Sequence, residues 1–71
     1  MPKTYKYKIE KKEGEIAYIT QYDSFGVPEA VFKGYPNYKF NTFTLYQERL
    51  LTKGVEGYTK KIVDFKDVAP M

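Results

Sequence analysis

Apolar and polar residues alternate one by one near the start of the chain. In TYKYKIEKKEGEIAYITQY, Tyr5, Tyr7 and Ile9 fall on one side and Lys6, Lys8 and Glu10 on the other, the period-2 pattern of a half-buried strand. Glu13-Gly14 reads as the turn of a hairpin, because glycine accepts positive φ without steric cost. In the returning strand, Glu15 to Tyr22, one face carries Ile16, Tyr18 and Tyr22, and the other carries Ala17 and Ile19. A strand apolar on both faces belongs inside a sheet rather than at its edge.

DSFGVP interrupts the alternation. Asp23 and Ser24 suit side chain-to-backbone turn bonds, Gly26 is permissive, and Pro28 restricts the residue before it. PEAVFKGYP, which follows, reads two ways. Pro28 at a first helical turn, followed by Glu29-Ala30, suits a short helix over 28–33 that stops at Gly34. Val31 and Phe32 suit a third strand, and the strand is favoured because so short a helix is marginal. Pro36-Asn37 predicts a turn. YKFNTF alternates again, with Tyr38, Phe40 and Thr42 opposite Lys39, Asn41 and Phe43.

TLYQERLLTKG changes period. Thr44 and Gln47 have capping-box spacing. Leu50, Leu51 and either Tyr46 or Gln47 fall at helical spacing, Lys53 sits in the last turn, and Gly54 suits the position after a helix. The pattern predicts a helix over about 44–53, docked through Leu50 and Leu51. Ile62, Val63 and Phe65 read as a closing strand. The expected fold is α+β, a small antiparallel sheet of three or four strands with that one helix on one face. The alternative is an all-β, SH3-like barrel in which the helical stretch is only a turn. Residues 1–71 are expected to form a single small domain.

Composition narrows the function classes. The chain has no cysteine and no histidine. Disulfides and the common zinc frameworks are therefore excluded, as are the usual general base and the thiolate nucleophile. Ser24 stands alone in a turn, and neither a phosphate-binding glycine loop nor a calcium-loop spacing occurs. Asp64 and Asp67 read as solvated residues at a strand end, and Gly54-Val55-Glu56-Gly57 as an ordinary turn. The expectation is a protein that is not an enzyme and uses no metal and no cofactor. A domain of this size buries roughly 60–65% of its unfolded surface. Eight Tyr and five Phe substitute for a staple through large buried area and ring contacts. No run of apolar residues is long enough for a membrane-spanning helix, and the polar beginning of the chain suggests the cytoplasm.

Formal net charge is +3, from twelve basic and nine acidic side chains. Lys6 and Lys8 share one face of the first strand. They lie either along a phosphate backbone or on a solvated face guarding a sheet edge. Lys60 and Lys61 are adjacent, so in a strand they point to opposite faces. Around Pro36-Asn37, Tyr35, Tyr38 and Phe40 form either a stacking platform for unpaired bases or core aromatics flanking a turn. Phe40 and Phe43 are assigned to the core, whereas Tyr35 and Tyr38 stay open between burial and exposure. The favoured reading is a non-enzymatic DNA- or RNA-binding module using Lys6, Lys8, Lys39, Tyr35 and Tyr38. The competing reading is a protein-binding module or small inhibitor of the kind phages and mobile elements encode, since tyrosine gives contact area at low entropic cost.

Ser24-Phe25, Phe32-Lys33-Gly34-Tyr35-Pro36-Asn37, Lys39-Phe40 and Phe43 together resemble, in spacing, the hybrid-binding domain of type 1 ribonucleases H. The resemblance implies a short helix after Ser24-Phe25 and binding to RNA–DNA hybrid or double-stranded RNA through shape and backbone. Phe25 stands where that family has tryptophan, and Asn41-Thr42 stand where it has phosphate-holding lysines, so the chain is not assigned to it. A looser architectural similarity is to the arm-type DNA-binding modules of mobile-element integrases, three strands followed by one helix.

Overall fold

The computed structural model describes residues 5–51 and 60–71. The chain forms β1 (Lys6–Glu13), β2 (Ile16–Tyr22), β3 (Pro28–Asn37), β4 (Thr42–Leu50), β5 (Lys60–Asp64), a single 3-10 turn (Phe65–Asp67) and β6 (Val68–Ala69). They make one sheet in the order β5-β4-β3-β2-β1-β6. Neighbours are antiparallel except β6, which returns beside β1 in parallel and pairs Val68 with Tyr7 and Ala69 with Lys8.

Local chemistry sets each connection. Glu13 pairs with Ile16, leaving Gly14-Glu15 as a two-residue loop. Gly14 has φ +62°, the positive-φ first position that a tight hairpin of the II′ type requires. At the next corner, the Asp23 carboxylate accepts hydrogen bonds from the backbone N–H groups of Phe25 (2.8 Å) and Val27 (2.9 Å), and Gly26 takes φ +83°. This is the side-chain turn expected of Asp23. The third corner, residues 38–41, ends on Asn41 at φ 55°, and Asn37 Oδ1 accepts from Lys39 N–H.

Alternation sorts the side chains into two faces. Inward go Tyr7 and Ile9 of β1; Ala17, Ile19 and Gln21 of β2; Ala30, Phe32 and Gly34 of β3; Phe43 and Leu45 of β4; and Lys61 and Val63 of β5. The buried core is Ile9, Ala17, Ile19, Ala30, Phe32, Phe43, Leu45 and Val68, with Tyr7, Val63 and Phe65 packed against it. Irregularities in register fall at Ile9/Lys11, Gln21/Tyr22 and Val31/Phe32, and such bulges bend a strand and increase its twist. Small residues on the inner face of the central strands leave room for the curl. A Cβ on Gly34 would lie 2.6 Å from Ile19 Cδ1 and 3.3 Å from the Ala17 carbonyl oxygen. The sheet curls into a half-barrel, so that Lys61 on one outer strand reaches Tyr7 and Gln21 near the other side.

The structure corrects the sequence reading in several places. The α+β expectation is replaced by the all-β alternative, realised as six strands in one sheet. Residues 44–50 belong to β4, not to a helix: Phe43 and Leu45 are buried in alternation, while Leu50 and Leu51 are exposed. Two long-range partners, β3 and β5, override the capping-box spacing of Thr44 and Gln47. Lys53, Gly54 and the 54–57 glycine pair lie outside the described residues. Residues 28–33 are strand, which also removes the short helix that the ribonuclease H resemblance implied. The Pro36-Asn37 turn is displaced to residues 38–41, because both residues still pair in β3. Tyr38, Lys39 and Phe40 are therefore turn rather than strand, and Phe40 is 65% exposed instead of core.

Candidate functional site

The outer face of the half-barrel collects the side chains that the core does not use. In register it carries Lys6, Lys8, Glu10, Lys11 and Glu13 of β1, and Ile16, Tyr18, Thr20 and Tyr22 of β2. From the other strands it carries Val31, Lys33 and Tyr35 of β3, Thr42, Thr44, Tyr46, Glu48 and Arg49 of β4, and Lys60, Ile62 and Asp64 of β5. Six cations thus face four carboxylates, so this face carries a net basic charge.

One row across this face has a regular composition. Lys11 pairs with Tyr18, Tyr18 with Lys33, Lys33 with Tyr46, and Tyr46 with Lys60. Cation and ring therefore alternate over five neighbouring strands. Successive lysines are two strand spacings apart, about 9–10 Å, and so are the two rings. Lys11 Nζ lies 4.9 Å over the Tyr18 ring and Lys60 Nζ 5.9 Å over Tyr46, distances at which the cation interacts with the ring quadrupole. Tyr35 packs its edge against Tyr46 at 5.5 Å and 81°, which broadens the aromatic surface by one position.

Three of the four carboxylates, Glu10, Glu13 and Glu48, have partners on the same face. Tyr22 donates its hydroxyl hydrogen to Glu10 Oε1 at 2.6 Å, and this bond is the main reason its pKa is raised. Glu13 likewise holds the Tyr18 hydroxyl protonated and raises its pKa, with burial adding to the effect. Glu48 forms an ion pair of 3.6 Å with Lys33. Beside this pair, Glu10, Lys11, Tyr18, Thr20, Val31, Glu48 and Arg49 line a shallow groove across β1 to β4.

A second polar group lies on the inner face. Lys61 Nζ donates to Gln21 Oε1 at 2.9 Å and to the Tyr7 hydroxyl at 3.3 Å, and it sits 4.6 Å over the Tyr5 ring. Gln21, fully buried, donates in turn from Nε2 to Glu29 Oε2 at 3.2 Å. Burial lowers the Lys61 pKa, and the Glu29 charge opposes that shift. The relay links β5, β2, β1 and the start of β3 through the core, and it reads as a structural clasp across the half-barrel.

Of the residues singled out from sequence, Lys6, Lys8 and Tyr35 lie on the outer face. Tyr35 is at the opposite end of the strands from Lys6, since Lys6 aligns with Tyr22 and Tyr35 lies beside Thr44. Tyr38 and Lys39 sit in the β3–β4 turn. Tyr38 is exposed and packs edge-on against Phe65, which leans on inward-facing Phe43, while Lys39 Nζ lies over the Phe40 ring. The five residues therefore do not form one patch. Lys60 and Lys61 do point to opposite faces, as their adjacency required. The sequence reading missed Lys11, Tyr18, Lys33 and Tyr46 as a set. The loop at Gly14-Glu15 sets Lys11 opposite Tyr18, whereas the turn expected at Glu13-Gly14 would have set Lys11 opposite Ile16, so the first pair of the row was hidden by a shift of one residue. Among the described residues, no group of acidic side chains is arranged to hold a metal ion and no helix is long and apolar enough to cross a membrane. No protein-family model, curated protein or solved structure matches the chain.

Proposed function

We propose that the chain is a non-enzymatic nucleic-acid-binding module and that the outer sheet face is its contact surface. The observation that carries this reading is the sorting of charge and rings by the fold: six cations and four tyrosines stand on one face, and three of its four carboxylates, Glu10, Glu13 and Glu48, have a hydroxyl or ammonium partner, while Asp64 lies at its edge at the end of β5. Cations supply phosphate contacts and the salt dependence that accompanies counterion release. Tyrosines supply π-faces and amphipathic contact area. Lys6, Lys8, Lys11, Lys33 and Lys60 take the phosphate role in this assignment, with Tyr18, Tyr35 and Tyr46 presenting rings. Tyr38 and Lys39 stay outside the interface, because their turn packs toward the inner face. The cytoplasm suits this role.

The test is fluorescence anisotropy with labelled single-stranded, duplex and hybrid oligonucleotides at several salt concentrations. Lys6→Ala combined with Lys8→Ala should weaken binding for every sequence and flatten the log–log salt slope by roughly 1.4 to 1.8. Tyr38→Ala combined with Lys39→Ala should leave the slope unchanged. If no oligonucleotide binds more tightly than about millimolar at low salt, against the roughly 10⁻⁴–10⁻⁶ M typical of non-specific binding, the outer face is not a nucleic-acid surface.

A further inference from the structure

We infer that the ligand of the outer face is an unpaired nucleic-acid strand, laid across the β-strands along the row Lys11–Tyr18–Lys33–Tyr46–Lys60. The inference rests on the nucleic-acid reading above and adds to it the state of the ligand, its direction and the residues that select it.

Three observations favour a single strand over a duplex. The first is composition along the row. Rings alternate with cations and no carboxylate interrupts them. A ring serves an unpaired base by stacking on its face, and in a duplex those faces are already stacked on one another. The second is shape. The inner side of the sheet closes on the Lys61 relay, so the outer side is the convex one. A convex sheet meets a stiff, convex duplex over a narrow line, whereas a flexible strand follows the curvature. The third is the absence, among the described residues, of an element able to enter a groove. The only helical segment among the described residues is the single turn Phe65–Asp67, and major-groove readers insert a helix or a projecting two-stranded ribbon.

The cation over each ring fits this use. Lys11 on Tyr18 and Lys60 on Tyr46 occupy ring faces in the free protein. An incoming base displaces the ammonium from the ring face toward the phosphate beside that base, so the same five residues serve both contacts. The row spans four strand spacings, about 19 Å. A stacked strand advancing about 3.4 Å per nucleotide covers that length with roughly six nucleotides, and an extended strand with fewer.

The experiment measures binding of oligothymidylates of increasing length, and of a duplex of the longest length, to the full chain and to four variants. Tyr18→Leu and Tyr46→Leu keep apolar bulk on the strand but remove the π-face. Tyr18→Phe and Tyr46→Phe keep the ring and remove the hydroxyl. Thermal melts establish that each variant is folded. The expected result is affinity that rises with length and levels off near about six nucleotides, with duplex at least about tenfold weaker. Each leucine variant should bind the single strand roughly 5- to 150-fold more weakly, and each phenylalanine variant as the parent does. Duplex binding as tight as single-strand binding, or folded leucine variants that bind like the parent, would overturn the inference. If salt-dependent binding persists in that case, the broader nucleic-acid reading stands. If no probe binds, both fall.

Discussion

Lys61 is the residue at which packing, charge and sequence pattern are in tension. It occupies an inward position of β5, opposite Leu45, and its ammonium is satisfied by Gln21 Oε1 and the Tyr7 hydroxyl. Burial still disfavours the charged form and lowers its pKa from 10.5. Between that lowered value and 10.5 the unfolded chain binds more protons than the folded one, so the Lys61 contribution to stability rises with pH across this window and is flat below it. Lys61→Met fills similar space and does not titrate. The stability difference between parent and variant should therefore shift in favour of the parent as pH climbs through the folded pKa of Lys61. Tyr18 and Tyr22, whose pKa values are raised by Glu13 and Glu10, titrate in both proteins and cancel. Urea melts of the pair from neutral pH to about 10.5 check this, and a difference that stays constant over the range would contradict it. The clasp was partly legible. Gln21 continues the inward phase of Ala17 and Ile19, and Lys61 shares the phase of Val63. What a period-2 pattern does not contain is which distant strand faces that phase, and Lys61 and Gln21 meet only because the whole sheet curls.

Single elements show where local pattern suffices. The first hairpin was readable in its strands and alternation, which lie within one short stretch, but its turn falls one residue later than Glu13-Gly14, at Gly14-Glu15, and the register moves with it. Glycine at φ +62° fixes the loop, and the buried phase of Ile9, Ala17 and Ile19 follows. The corner at Asp23 was readable for the same reason. β4 was not. Its later half, with Thr44, Gln47, Leu50 and Leu51, imitates a capped helix, while its earlier half, with Phe43 and Leu45, alternates as a strand. An isolated helix of about ten residues is marginal in water, so ladder pairing with β3 on one side and β5 on the other decides the outcome. This assignment makes opposite demands on two leucines. Leu45 is fully buried and Leu51 is 42% exposed. Leu45→Ala should cost about 2–5 kcal/mol, and Leu51→Ala should stay within about 0.5 kcal/mol of the parent. Denaturant melts of the two variants separate strand from helix, because a helix docked through its last turn would reverse their order.

The whole molecule is a single sheet whose stability is graded from its middle outward. β2 and β3 are hydrogen-bonded on both sides along their length, and they carry Ala17, Ile19, Ala30 and Phe32, all fully buried. Among the described residues β5 has only β4 as a partner, and it is short. β1 is intermediate, because β6 pairs with it only at Tyr7 and Lys8. That small parallel strand was invisible in the sequence, since a two-residue partner drawn from the opposite end of the chain leaves no local periodicity. Yet it sets Val68 into the core beside Ile9 and covers the edge where Tyr7 supports the Lys61 clasp. Local opening follows this gradient, because amides with few buried neighbours and one-sided pairing exchange at low free-energy cost. Hydrogen exchange should therefore rank the amides of β2 and β3 as slowest and those of β5 as fastest. Within β1, Tyr7 and Lys8 should exchange more slowly than Lys11 to Glu13, where β2 is the only partner among the described residues. The same gradient bears on the outer face. Tyr18 and Lys33 sit on the most persistent strands and Lys60 on the least, so the binding row has a fixed centre and a yielding end. Exchange measured by NMR or mass spectrometry gives the ranking directly. If β5 proves as protected as β2, the half-barrel has a further partner along that edge and the gradient described here is wrong.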